Sequence, residues 1–152
     1  MTPDELVPEV YLPARRGSLQ VELVAATGAR GRLPYLLAPR DDALFDELAA
    51  GRPVLVLQKL GAGPWPGWHY AVLVGYDRER QSVLLRSGTT RRLEMSVRRF
   101  LWSWERGGRW AMLALQPGEL PAGAEMDRYV DAAAGLEAVG RLDEATRAYR
   151  SA

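Results

Sequence analysis

A single histidine, His69, stands in a chain of 152 residues that contains no cysteine. It opens a strand-like run, Trp68-His69-Tyr70-Ala71-Val72-Leu73-Val74-Gly75-Tyr76-Asp77. In an extended backbone starting at Trp68, the residues His69, Ala71, Leu73 and Gly75 share one face, and Tyr70, Val72, Val74 and Tyr76 share the other. The histidine therefore falls at the beginning of the strand, beside the loop Gly61-Ala62-Gly63-Pro64-Trp65-Pro66-Gly67-Trp68, where a side chain meets solvent and substrate. A general base needs that placement, together with a third group that holds its ring. Trp65 and Trp68 are candidates to wall a groove that grips an extended peptide. The plainer readings are an exposed or structural histidine and two packing tryptophans.

The residues that are missing narrow the chemistry. Without cysteine there is no thiolate nucleophile, no disulfide and no thiolate metal site. One histidine leaves almost no scope for zinc, which takes several His or Cys ligands, and no metal or other cofactor is expected. Serines stand at Ser18, Ser82, Ser87, Ser96, Ser103 and Ser151. None sits in a nucleophile elbow, and Arg86-Ser87-Gly88 lacks the first glycine of one, which argues against a serine hydrolase.

Composition sets the frame. The length suits one domain, or a small domain with part of a second. The hydrophobic share of 47% is enough for a core, and 20 basic against 19 acidic residues leave the chain nearly neutral. A dedicated nucleic-acid binder would show a large basic excess, so none is expected; Arg91-Arg92 and Arg98-Arg99 read as a solvated face. No apolar run approaches the roughly 20 residues of a membrane helix. The segment with Asp4, Glu5 and Glu9 among Pro3, Pro8 and Pro13 does not read as a signal peptide. The expectation is a soluble globular chain, cytoplasmic as written, with its compartment otherwise undetermined.

The elements that must position His69 are legible in outline. Thr2 caps a short helix with Pro3 at its first position and Glu5 closing a capping box. Ser18 caps a second helix through Leu19, Leu23 and Val24 that ends near Gly28. Leu33 to Leu37 reads as a short strand, and Asp41-Asp42 cap a helix with Leu44, Phe45, Leu48 and Ala49 at helical spacing, stopped by Gly51. Val54 to Leu57 is a buried strand. Trp68 to Tyr76 and Ser82 to Arg86 form a hairpin about a polar turn, and Thr90 to Leu93 extends the sheet. Ser96 caps a helix through Phe100, Leu101 and Trp104, and Trp110 to Leu115 is a last strand. Trp102, Trp104 and Trp110 are expected in the core. After a linker with Pro117, Pro121 and Gly123, an alanine-rich helical pair breaks at Gly140. The fold class is α+β: an antiparallel sheet with flanking helices, then a C-terminal helical hairpin.

Gly17-Ser18-Leu19 opening a helix, Pro53-Val54-Leu55-Val56-Leu57 as a strand, the His69 to Asp77 strand and Val83-Leu84-Leu85-Arg86-Ser87-Gly88 together resemble the bacteriocin-processing (double-glycine) peptidase family, which has a papain-like fold. The resemblance covers roughly Thr2 to Leu115, and its specific motif is the histidine strand. It implies that His69 takes the place of the general base. It also implies that Ser87 falls where the family has the Asp or Asn that orients the histidine. A serine there still accepts a hydrogen bond but brings no charge to the imidazolium. The family's nucleophile lies in a Cys-Gly-Pro segment with a glutamine slightly upstream; neither Gln20 nor Gln58 takes that glutamine's place. The resemblance thus implies a cysteine peptidase acting on a peptide or protein substrate, inactive in this chain alone. A non-catalytic peptide- or protein-binding module is the alternative.

The capped helix at Thr2 matches the segment after the nucleophile helix in that family, so the chain is expected to begin part-way through a peptidase-like domain at 1–116. Residues 117–126 read as linker. From Gly140 to Tyr149 the Gly-x-apolar-x-Glu-Ala-x-x-x-Tyr cadence looks like part of a tetratricopeptide repeat at 127–152, with a protein partner expected through these helices; an ordinary helical hairpin reads equally well. One repeat does not make a stable solenoid, so the array is expected to continue beyond it.

Overall fold

A computed structural model describes residues 18–61 and 67–152. The helix expected at Thr2 and the loop residue Trp65 lie outside these residues. In chain order the elements are α1 (Gln20–Ala29), β1 (Leu33–Leu36), α2 (Asp41–Ala49), β2 (Val54–Leu60), β3 (Gly67–Asp77), β4 (Ser82–Ser87), β5 (Thr90–Ser96), α3 (Val97–Arg106), β6 (Ala111–Leu115), α4 (Met126–Ala138) and α5 (Leu142–Tyr149). The strands form one six-stranded sheet in the order β1-β6-β2-β3-β4-β5. Pairing is antiparallel for β2 with β3 and β6, β3 with β4, and β4 with β5. This is the α+β class with an antiparallel sheet expected from the sequence.

The described chain divides into two compact units, one of residues 18–35, 114–120 and 124–152, the other of 36–113 and 121–123. The second unit holds the histidine strand. Its core on one side of the sheet is Val54 and Val56 of β2, Ala71 and Leu73 of β3, and Val83 and Leu85 of β4, all nearly inaccessible. Helix α3 covers this side, with Phe100, Ser103 and Trp104 on its buried face. Ser96 caps α3 as expected, its Oγ accepting from the Arg99 amide at 3.4 Å.

Two polar groups fix how the second unit packs. Gln58 is buried in the apolar run of β2, and its Nε2 donates to Ser103 Oγ at 2.7 Å. Ser103 Oγ in turn donates to the Phe100 carbonyl at 2.8 Å, so the amide ties α3 to the sheet. In α2 the buried face is Ala43, Leu44 and Glu47 rather than the expected Leu44, Phe45, Leu48 and Ala49. The reason is Glu47, fully buried because Arg52 Nε binds one carboxylate oxygen at 2.5 Å and the Ala122 amide donates to the other at 2.6 Å. Apolar periodicity cannot see a buried carboxylate that has two partners.

In the other unit, α4 and α5 form the C-terminal hairpin. Small residues line its buried seam: Ala132, Ala133, Ala145 and Ala148. Gly140, at φ +77°, ends α4, with the Arg141 amide returning to the Leu136 carbonyl at 2.9 Å. The Arg141 guanidinium donates to the Ala29 carbonyl at the C-terminus of α1, at 2.6 and 3.0 Å, where a cation suits the helix dipole. A Cβ on Gly28 of α1 would lie 3.4 Å from Val139, so the helices are closely packed there. The N-cap of α1 falls on Leu19, one residue after the expected Ser18. Tyr129 is fully buried and its phenol oxygen accepts from the Gly118 amide at 3.2 Å.

Two outcomes test this packing. A Cβ on Gly107, the C-cap of α3, would fall inside the van der Waals surface of the Leu57 carbonyl, with the Trp104 carbonyl at 3.1 Å. Gly107→Ala should therefore cost about 3 kcal/mol in urea denaturation, the upper end of overpacking costs, against about 0.5 kcal/mol or less for Gly135→Ala, whose Cβ meets nothing. Burial pushes the Tyr129 phenol above its ordinary 10.0, with the Glu119 charge adding to the rise and the Gly118 bond opposing it. The folded chain then holds a proton that the unfolded chain releases near 10, so stability should fall as pH rises through about 10 and beyond. Tyr129→Phe should flatten that fall while lowering stability at neutral pH by about 1 kcal/mol, read by denaturation at about pH 8 and 10.5.

Candidate active site

Strand register decides which side chains His69 can meet. Across β2, Gln58 lies directly opposite His69, Val56 opposite Ala71 and Val54 opposite Leu73. Across β4, Leu73 pairs with Leu85, but Gly75 pairs with Leu84, so a bulge leaves Val74 as the extra residue. The strict alternation expected for the strand therefore stops at Leu73. His69, Ala71 and Leu73 share the face covered by α3. Gly75 moves to the other face with Leu84, and Tyr76, opposite Val83, takes its place on the core side. There the Tyr76 ring meets Phe45 of α2 edge-on, with centroids 5.4 Å apart.

The register brings two of the expected site residues together. Arg86 pairs with Val72, so the next residue, Ser87, comes onto the His69 face. His69 Nε2 lies 2.6 Å from Ser87 Oγ, and both residues are half-buried. Ser87 is itself held in the tight β4–β5 connection, paired with Thr90 across Gly88 at φ +55°. Among the described residues Nδ1 of His69 has no hydrogen-bond partner. A serine hydroxyl both donates and accepts, so either tautomer of the ring satisfies this contact, and the other nitrogen is the one available to a reacting group. If Nε2 carries the proton and Ser87 Oγ accepts it, Nδ1 is left as the lone-pair base.

The aromatic candidates part company. Trp68 is 56% exposed, but strand pleating sends it to the face opposite His69, beneath Lys59, whose Nζ lies 5.4 Å from its ring centroid. Tyr70 shares that opposite face and meets the Trp110 ring edge-on at 5.7 Å. Burial pushes the Tyr70 phenol above its ordinary range, so it stays protonated at neutral pH and is not a base. Trp104 is in the core as expected, its Nε1 donating to the Trp110 carbonyl at 3.0 Å. Trp102, expected there too, is 49% exposed, because a position two residues from Trp104 on a helix faces elsewhere; Arg106 stacks on it at 4.4 Å.

Gln58 is the neighbour of His69 that sequence reasoning could not place. Its signal is an amide in an otherwise apolar strand run, where a polar side chain must find a buried partner. Among the described residues no group of three or more His, Asp or Glu side chains is placed to hold a metal ion. No helix among them is long and apolar enough to cross a membrane.

No protein-family model and no curated protein sequence matches the chain. Solved structures do. A protein described as a C39-like peptidase, from Bacillus anthracis, superposes with a TM-score of 0.55 at 17% identity over 66% of this chain, which spans 60% of that protein's length. The peptidase domain of Streptococcus ComA, a bifunctional ABC transporter involved in quorum sensing, gives a TM-score of 0.55 at 20% identity, covering 76% of this chain and 80% of that domain. At such identities the likeness speaks for the backbone. This chain has the α+β fold of the C39-like peptidases, as the bacteriocin-processing resemblance implied.

Proposed function

We propose that this is a cysteine-peptidase-like domain in which His69 is the general base and Ser87 positions its ring. The observation that supports it is the 2.6 Å contact between His69 Nε2 and Ser87 Oγ, which leaves Nδ1 open. In that reading a thiol gives its proton to His69, and the resulting thiolate attacks a peptide carbonyl to form a thioester that water later hydrolyses. The imidazolium then gives the proton to the leaving amine as the C–N bond breaks. No sulfur nucleophile occurs in these 152 residues. By itself, then, the chain binds peptide and leaves it intact. The helical pair of α4 and α5 is proposed as a tetratricopeptide-type surface for a protein partner, on the cadence from Gly140 to Tyr149.

A non-catalytic peptide-binding module is the second reading. It is favoured by the neutral hydroxyl at Ser87, which offers no counter-charge to a protonated histidine. The two readings differ in what the dyad is for. If Ser87 sets the ring for proton transfer, histidine ¹⁵N spectra at a pH where the ring is neutral should show one dominant tautomer, protonated on Nε2. Ser87→Ala should then give a mixed signal with an unchanged fold. A single tautomer of the same kind in Ser87→Ala would remove the positioning role.

Peptide handling gives the second check. A mixture of extended peptides incubated with the chain should come through mass spectrometry uncleaved, while tryptophan fluorescence reports saturable binding. Trp68→Ala should change that binding less than about twofold, because its ring lies under Lys59 on the face opposite His69. New fragments formed by the chain alone, and abolished by His69→Ala, would overturn the thiolate reading. An absence of binding by every peptide would overturn both readings.

A further inference from the structure

The contact between His69 and Ser87 has a second chemical meaning. A hydroxyl 2.6 Å from an imidazole nitrogen is also what a serine nucleophile shares with its base. Other serines spend their hydroxyls on the fold. Ser82 Oγ donates to Glu94 at 2.7 Å, Ser103 Oγ to the Phe100 carbonyl at 2.8 Å and Ser151 Oγ to the Arg147 carbonyl at 3.4 Å, while Ser96 Oγ caps α3. Ser87 Oγ meets a base, and among the described residues it has no other partner.

No nucleophile elbow presents Ser87, but a hairpin turn does. It ends β4 and pairs with Thr90 across the exposed turn Gly88-Thr89. The amides of Gly88 and Thr89 make no hydrogen bond among the described residues, and a Cβ on Gly88 would meet nothing within 4 Å. An unengaged amide directly after a nucleophile is the kind of donor that holds the oxygen of a tetrahedral intermediate. The same face of the sheet carries an apolar cavity of about 370 Å³, walled by Leu60, Leu93, Met95 and Trp102. Register makes two of these walls neighbours of the dyad. Leu60 follows Gln58 on this face of β2, and Gln58 lies opposite His69. Leu93 lies opposite Leu85, which precedes Ser87 on this face of β4.

We infer that Ser87 is itself acylated, with His69 Nε2 as its base, by activated esters whose apolar acyl chain lies in this cavity. This goes beyond the thiolate reading, since it needs no cysteine, and it uses the other tautomer of the ring. With the proton on Nδ1, Nε2 takes the Ser87 proton as Oγ bonds to the ester carbonyl carbon. The bond to the leaving oxygen breaks, a phenolate departs and the imidazolium returns its extra proton to solvent. Water then gives a proton to Nε2 and attacks the acyl carbon; the bond to Oγ breaks, Oγ recovers the proton and a carboxylic acid leaves. A ring held mainly with its proton on Nε2 reacts through the minor form, at a rate scaled by that form's share. The dyad's limits choose the substrate. No charged group holds Nδ1 among the described residues, so the imidazolium gains no charge stabilisation. An amine must be protonated to leave, whereas a phenolate leaves as it is, so activated esters react and peptides stay intact.

Two probes read this in the full chain. Octyl fluorophosphonate transfers its phosphonyl group to a reactive serine with loss of fluoride, and peptide mapping by mass spectrometry locates it. About one adduct per chain is expected, on Ser87, absent after unfolding in urea and reduced about a hundredfold in His69→Gln. p-Nitrophenyl octanoate should release about one equivalent of nitrophenol in a burst, leave octanoyl on Ser87, and react about tenfold faster than the acetate through burial of its chain. Leu60→Trp, which fills the cavity, should remove that preference. No adduct, or an adduct on Ser87 undiminished in urea or in His69→Gln, would overturn the dyad. Nitrophenol release undiminished in Ser87→Ala would assign the chemistry to the imidazole alone and overturn it too. Acylation of Ser87 without preference for the longer chain would overturn the cavity as the acyl site. The positioning role of Ser87 stands or falls separately, on the ¹⁵N spectrum recorded without either reagent.

Discussion

A buried amide fixes the second unit. Gln58 follows the apolar run Val54-Leu55-Val56-Leu57 of β2 and is buried with it, and a side-chain amide there costs several kcal/mol unless it is satisfied. Ser103 is what satisfies it, at 2.7 Å, so α3 is held against the sheet at one position and rotation. Two further conditions result. Helix and strand come close enough that only hydrogen fits at Gly107, beneath the Leu57 carbonyl. The aromatic face of α3 is set as well, with the Phe100 and Trp104 rings stacked at 6.2 Å and Trp102 left outside. Gln58 also lies opposite His69 across the strand pair, while its Nε2 lies 3.9 Å from Met95 Sδ. One polar contact thus sets the helix on the face of the sheet that carries the histidine.

The second constraint is register. A bulge at Val74 lets β3 keep His69, Ala71 and Leu73 on the helix-covered face and still return Tyr76 to the core. The extra residue itself is 39% exposed, which a valine tolerates at little cost. Without the bulge Tyr76 would turn away from Phe45, and the glycine at 75 would leave a gap opposite Val83. The His69–Ser87 contact is formed on the other side of that bulge, where the alternation is regular. The irregularity therefore serves the core and leaves the histidine end of the strand undisturbed.

Much of this is legible in the residues. Glycine and proline punctuation bounds the helices, the Ser96 cap falls where expected, and the placing of Ser87 beside His69 is what the family resemblance implied. The losses have a common physical origin. Bulges leave no mark in a run such as Ala71-Val72-Leu73-Val74-Gly75, where every residue is apolar or glycine, so period two extends one residue too far. Gln58 and Glu47 escape a sequence reading because their burial depends on partners that are distant in sequence. Ser103 is 45 residues from Gln58, and the Ala122 amide is 75 residues from Glu47. Composition at one position carries no information about a hydrogen bond made that far away. The expected β5 stops at Leu93, because Glu94 looks like the start of a loop when it belongs, with Arg92, to the exposed row of an edge strand.

The choice of serine beside the histidine bears on what such a site can do. A carboxylate partner would stabilise the imidazolium by charge, and a hydroxyl stabilises it only by orientation and a neutral hydrogen bond. The Ser87 hydroxyl therefore orients the His69 ring and places no charge beside it. That arrangement suits a reaction whose proton donor is already acidic, as a thiol is compared with a serine hydroxyl, because less basicity is then asked of the imidazole. It suits peptide recognition as well, since an imidazole whose Nδ1 is unengaged among the described residues offers one directed polar group to a peptide backbone. Both uses put the demand on geometry, and geometry is what the pairing of β3 with β4 supplies.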